Sequence, residues 1–261
     1  MSRNDNVTNL LIGTLFLAGI LFIAYSLFSV VPIIFAILII LYFTNLNKQL
    51  IITIAAFLIG FFLHKYFALM IMHIENSELR ISLNRFSLLF VIGSLVVVSR
   101  VYKQPFRYNH KPVWNNTISF PFIWSGFHSV KISTFLIVAI SLNSLVFLPF
   151  ILKQDGTFLQ KVVMLAILFS VINAILEEIL WRGYLLSHLQ ESVNDYYALL
   201  FSSIGFGLQH ISLGIPLVPS ILFSFGGIFF AGIVMRSKSI FPSIIWHILL
   251  NFGMVFSGFN V

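Results

Sequence analysis

Glu177 and Glu178 stand side by side at the end of an apolar run, Val162 to Ile175, and Arg182 follows four residues after the second. Within a bilayer one such charge costs roughly 2.5–3.5 kcal/mol on insertion scales. Three together in so apolar a setting therefore mark a site with a task. Helical spacing divides them. Glu178 and Arg182 lie at i and i+4 with the acid N-terminal, the better orientation for an ion pair, whereas Glu177 points about 100° away. Glu178 and Arg182 are expected to neutralise one another, leaving Glu177 to act. Two later pairs repeat the spacing: Phe206 with His210, and His247 with Asn251. Taken singly, a His or Asn in a membrane helix reads as a hydrogen bond to a neighbouring helix. Taken together, two carboxylates, an arginine, two histidines and an amide on three apolar helices read as one site.

Two chemistries fit this set. Glu177 can take a proton from water with His210 sharing that water, and His247 and Asn251 can donate hydrogen bonds to a developing oxyanion. Together these suffice for amide hydrolysis. Alternatively, Glu177, His210 and His247 supply the two-histidine, one-carboxylate donors of a catalytic zinc with an open position. The expectation leans to chemistry without a cofactor. Asn251 shares a face with His247, and an amide is an uncommon zinc ligand but a common oxyanion donor. No acid beyond Glu178 is expected to be available to support the histidines, and Glu178 is expected to be occupied by Arg182. His64, His73, His110, His128 and His188 fall at loops or helix edges and are expected to be solvated or interfacial. Three other intramembrane protease signatures are missing: His-Glu-x-x-His, Gly-x-Gly-Asp and Gly-x-Ser-Gly.

The elements that must position these residues follow from composition. The 261 residues are 59% hydrophobic and 9% charged, with mean hydropathy +1.01, against about 25% charged in soluble domains. Long apolar runs without alternation exclude a β-barrel, and open sheets cannot span lipid. The fold class is all-α, a polytopic transmembrane helical bundle of about eight spans, with the lipid bilayer as its surroundings. A net charge of +7 on so little soluble surface fits basic cytoplasmic loops, and no nucleic-acid partner is expected. With no cysteine there is neither a disulfide framework nor a thiolate nucleophile.

Met1–Asn9 reads as a polar tail and Leu10–Phe28 as a first span. Pro32–Phe43, Ile51–Met72 and Phe86–Ser99 follow, separated by a turn at Asn45–Gln49 and a polar loop at Glu75–Arg85. Arg100–Lys131 is the longest polar connection and carries five basic residues and no acid. It is taken as the boundary between a variable N-terminal half, residues 1–131, and a site-bearing half, residues 132–261. In the latter, spans are expected at Ser133–Ile151, from Val162 towards His188, at Tyr196–Ser212, Val218–Met235 and Ile240–Phe256. Gly227 and Ala231 form a small-xxx-small face suited to close helix packing. With the N-terminus in the cytoplasm, Arg3, Lys48, the basic long loop, Arg236 and Lys238 fall inside, as the positive-inside rule requires. A multi-pass cell-membrane protein with a cytoplasmic N-terminus is expected.

At its motifs the chain resembles the CPBP family, the CAAX-processing and bacteriocin-processing (Abi) intramembrane proteases. The family's marks read here as Glu177-Glu178-x-x-x-Arg182, Phe206-x-x-x-His210 and His247-x-x-x-Asn251, over a core of about residues 159–256. The resemblance implies an intramembrane endopeptidase, similar to type II CAAX prenyl endopeptidases, acting on a peptide precursor or a lipid-modified protein tail. Glu177 would be the base, with His210 on the water and His247 and Asn251 at the oxyanion. Glu178, Arg182 and Phe206 would support the site. The family is named for metalloproteases, though a glutamate-based mechanism without metal is also argued for it. A non-catalytic bacteriocin-immunity or membrane regulatory protein on the same scaffold is the alternative it leaves open.

Overall fold

The computed structural model describes residues 3–44, 47–104 and 106–259. Helices α1 (Arg3–Ala24), α2 (Val31–Phe43), α3 (Lys48–Met70), α4 (Ser77–Phe86) and α5 (Leu88–Val101) precede a hairpin of β1 (Thr117–Pro121) and β2 (Gly126–Lys131). Helices α6 (Ile132–Ile151) and α7 (Gly156–Glu178) follow. A π-helical segment, Ile179–Leu185, then joins α7 to α8 (Leu186–Ser192). Helices α9 (Asp195–Gln209), α10 (Leu217–Ser237) and α11 (Phe241–Phe256) complete the bundle.

Local chemistry starts and stops these helices. Asn47, Asn76, Asp155 and Asn194 accept the backbone N–H of Leu50, Leu79, Phe158 and Tyr197 and so begin α3, α4, α7 and α9. Pro32 and Pro242 sit in the first turns of α2 and α11, where a missing N–H costs nothing. A short 3₁₀ turn, His210–Leu213, ends at Gly214, whose φ of 86° favours glycine.

Six helical stretches among the described residues are long and apolar enough to cross a membrane, and Val31–Phe43 and Phe241–Phe256 are shorter apolar helices. The protein is an all-α polytopic bundle. Its principal contacts run α3 to α5, α9 to α10, α11 to α7 and α6, and α1 to α3 and α9. A single large apolar core joins the early helices to the late ones: Trp181, fully buried, packs on Phe57 at 5.1 Å and on Phe206 at 6.0 Å between ring centroids. Gly227 does face a close neighbour, since a Cβ there would lie 2.9 Å from the Ser203 carbonyl of α9. Gly207 allows the same approach from the other side, a Cβ there falling 2.0 Å from Ser224 Oγ.

Several sequence boundaries are corrected. Helix starts at Arg3 within the supposed tail, and α4 occupies most of the supposed loop at Glu75–Arg85. The turn at Asn45–Gln49 lies in part outside the described residues; α3 begins at Lys48. The long polar connection holds the β1–β2 hairpin, docked on the end of α10 by Arg236 Nε donating to the Thr117 carbonyl at 2.6 Å. Tyr108 anchors the preceding loop by donating to Gln190 Oε1 at 2.5 Å. The helix bearing the acidic pair runs on through Arg182 to Ser192, so Glu177 lies well inside the bundle.

Candidate active site

The π-helical segment starts one residue after Glu178 and contains Arg182. Such segments are rare and concentrate at functional sites. Arg182 Nη1 donates to Glu178 Oε1 at 2.8 Å, and both side chains are almost wholly buried. The guanidinium also lies against two aromatic rings, 4.1 Å from the Phe206 centroid and 5.1 Å from that of Phe230. Cation–π contacts gain strength when desolvated in this way, to about 2 kcal/mol. Phe206 thus meets Arg182, and its ring also lies 5.1 Å from His210 and 6.0 Å from His247.

Arg182 does not exhaust Glu178. His247 Nδ1 donates to the same Oε1 at 2.9 Å, and Ser243 Oγ donates to Oε2 at 2.5 Å. The expectation that Arg182 occupies this carboxylate is corrected: it holds α11 as well. The correction has a chemical consequence. A carboxylate accepting from Nδ1–H fixes the imidazole tautomer, so a neutral His247 presents its lone pair at Nε2. Nε2 lies 3.6 Å from Glu177 Oε2.

Glu177 is buried and lightly held. Gln209 Nε2 donates to its Oε1 at 3.3 Å, and its Oε2 has no hydrogen-bond partner among the described residues. His210 Nδ1 donates to the Phe206 carbonyl at 2.8 Å, leaving Nε2 as the acceptor of a neutral ring, and its face stacks on Phe223 at 4.3 Å. Asn251 is buried, with Nδ2 unpartnered. Glu177, Phe206, His210, His247 and Asn251 all line one cavity of about 390 Å³, whereas Glu178 and Arg182 stand behind its wall.

Three further polar residues belong to this cavity or its margin. Asn173 stands one helical turn before Glu177, lines the cavity and has an unpartnered Oδ1; its i, i+4 spacing to Glu177 was visible in the sequence. Gln209 adjoins His210 in the chain. Arg85 comes from α4, its guanidinium 4.9 Å over the Phe169 ring; its polar surroundings in sequence look like a loop. Two histidines expected to be solvated or interfacial are buried instead. His64 pairs with Ser87 at 2.6 Å, and His188 meets Ser99 at 2.9 Å and Gln104. Both are satisfied by partners far away in the chain, and neither lines the cavity.

No group of three or more His, Asp or Glu side chains among the described residues is arranged to hold a metal ion. His247 commits Nδ1 to Glu178 and His210 commits Nδ1 to a backbone carbonyl, which leaves Nε2 of each ring uncommitted, as it also is in histidines that bind a metal.

Residues 159–253 match the family described as "Type II CAAX prenyl endopeptidase Rce1-like". A Bacillus subtilis (strain 168) protein named "Putative membrane peptidase YdiL" is 33% identical over 93 residues, which are 36% of this chain and 36% of that protein. The chain thus spans about a third of the curated relative it matches. No solved structure matches it at a significant level. The likeness to CPBP proteases is borne out over the part of the chain that carries the three motifs.

Proposed function

We propose, from the premise that residues 159–253 match the family of type II CAAX prenyl endopeptidases, that this multi-pass membrane protein is an intramembrane endopeptidase. Its substrate is a small peptide precursor or a lipid-modified protein tail. The observation that carries the proposal is the cavity itself. Glu177, His210, His247 and Asn251 converge there, and Glu177 Oε2 and Asn251 Nδ2 lack partners that a bound water and a carbonyl would supply.

In the step we propose, Glu177 takes a proton from a water that His210 Nε2 also holds, and the water oxygen attacks the peptide carbonyl. The carbonyl electron pair moves onto oxygen as an oxyanion. Asn251 Nδ2 donates to it, and so does His247 Nε2, on a ring that enters the step already protonated, is held at Nδ1 by the Glu178 carboxylate, and keeps its proton throughout. Collapse breaks the C–N bond, and the proton held by Glu177 passes to the leaving nitrogen. No step requires a metal. The same reading places the protein in the cell membrane with its N-terminus in the cytoplasm, supported by the distribution of basic residues.

The test is hydrolysis of peptide precursors, with and without lipid, by purified protein in vesicles. Glu177→Gln, His210→Ala and His247→Ala should each lower the rate at least about 100-fold, the usual cost of losing a general base or an oxyanion donor. Near-normal rates in any one would overturn that residue's role. An absence of cleavage by a fully folded wild-type protein would overturn the peptidase reading.

A further inference from the structure

We infer that Arg85 is the receptor for a carboxylate of the substrate, an inference that rests on the peptidase reading of the same cavity. Arg85 is only 6% exposed and lines the cavity that holds Glu177, His210 and Asn251. No carboxylate oxygen lies within 4.0 Å of it among the described residues. Its Nε has no hydrogen-bond partner among the described residues, and its guanidinium lies over the Phe169 ring. A guanidinium buried with no carboxylate in contact is costly, and its planar fork matches a carboxylate in two parallel hydrogen bonds. Arg182, the other buried arginine near the site, cannot serve in this way. It is bonded to Glu178, enclosed by Phe206 and Phe230, and behind the cavity wall.

The charges support the assignment. Glu178 and Arg182 cancel. In the oxyanion state Glu177 holds the proton taken from water and is neutral, and the charge of protonated His247 is cancelled by the oxyanion itself. Arg85 then remains as one positive charge in a cavity whose other walls are apolar, among them Leu222, Phe223, Leu250 and Met254. A short apolar peptide bearing one carboxylate fits both the charge and the walls. The carboxylate is either the end of the chain or an acidic side chain, and the two are told apart by the ligands used.

The experiment measures binding, so it does not depend on turnover. Purified full-length protein in detergent is titrated with N-acetyl-Ile-Leu-Phe as the free acid, with its C-terminal amide, and with N-acetyl-Ile-Glu-Phe amide, following ligand-induced thermal stabilisation. The free acid should bind at least about tenfold tighter than the apolar amide, a difference expected of a charge-assisted bidentate pair. Arg85→Gln should abolish the difference and Arg85→Lys retain part of it. Glu177→Gln should tighten the acid severalfold by removing a like charge, an effect that a purely structural role for Arg85 would not produce. Tight binding of the Glu-containing amide, lost in Arg85→Gln, would assign the receptor to a side-chain carboxylate; its failure to bind would assign it to the chain end. Equal binding of the free acid, the apolar amide and the Glu-containing amide by the wild type, or failure of all three to bind, would overturn the inference. So would a preference that survives Arg85→Gln, or stabilisation by inorganic phosphate but not by the acid, which would point to a lipid headgroup. Selective acid binding by a folded protein that cleaves nothing would refute the peptidase reading and leave the carboxylate receptor standing.

Discussion

Removing either member of the Glu178–Arg182 pair should be far more costly than removing both. Both side chains are almost wholly buried, 2.8 Å apart. Breaking such a pair from one side leaves an unpaired charge in the interior, at a cost of about 3–5 kcal/mol. Arg182→Met leaves Glu178 with Ser243 and His247 as donors, so its cost should fall near the lower figure. Glu178→Leu strands Arg182 and also removes two hydrogen bonds to a charged acceptor, worth about 1.5–3 kcal/mol each, and should fall above the upper one. Against a usual total stability of about 5–15 kcal/mol, the second variant should be scarce in membranes. The double variant buries no charge, and replacing a buried pair by apolar groups is often close to neutral. Its loss should therefore be several kcal/mol smaller than the sum of the singles. The assay is the unfolding midpoint of each variant in mixed micelles, assembled into a double-mutant cycle. Additivity within about 0.5 kcal/mol would show that the two charges do not depend on one another and would refute the reasoning.

Other expectations follow from the same contacts. His188→Ala should cost about 1–3 kcal/mol by stranding Gln104 and Ser99, with the rate per folded molecule unchanged; a stable but inactive variant would place His188 in the chemistry. Gly207→Val should lower the unfolding midpoint by driving a side chain into Ser224 and the Ser220 carbonyl, and a neutral result would refute the close approach of α9 and α10. On the reading without metal, chelation should leave hydrolysis unchanged, whereas about one zinc per chain, lost in both His210→Ala and His247→Ala, would reverse it. Burial pushes the Tyr108 phenol up to about 12 from its ordinary 10.0. The fold therefore favours the protonated phenol: that stability is complete below pH 10 and is lost as pH rises through the folded value near 12. Wild type and Tyr108→Phe should differ in alkaline unfolding across that window, and parallel profiles would refute it.

What was legible in the sequence was local in the chain. The Glu178–Arg182 bond spans four residues, one turn of a helix, and the Phe206–His210 and His247–Asn251 pairs share a helical face for the same reason. Apolar runs announced most spans because lipid demands them. What was hidden depends on distant partners. His247 lies 69 residues from the carboxylate that fixes its tautomer, and no periodicity links them. His64 and His188 look peripheral along the chain, yet each finds a distant partner, Ser87 in the turn between α4 and α5 and Ser99 on α5. Arg85 sits in a stretch whose polarity imitates a loop, and only the packing of α4 against α7 brings it to the cavity. The β1–β2 hairpin was hidden because the alternation of Thr117–Phe120 runs for only four residues and its partner strand, Gly126–Lys131, does not continue the pattern.

The pairing of Glu178 with Arg182 on one stretch of helix also bears on how the chain enters the bilayer during synthesis. Ser243 and His247, which later share the carboxylate, lie 65 and 69 residues downstream. At about 5–20 residues per second, they emerge roughly 3–14 s after Glu178. Until then the nascent segment can rely on no donor from α11. An arginine one turn away lets the helix carry its own counter-ion through the translocon, reducing a cost that insertion scales put at roughly 2.5–3.5 kcal/mol for each lone charge. Glu177 has no arginine four residues on, but Arg85 has been made before it. The second glutamate and the arginine thus serve assembly first, and become the back wall of the site only when the last helix arrives.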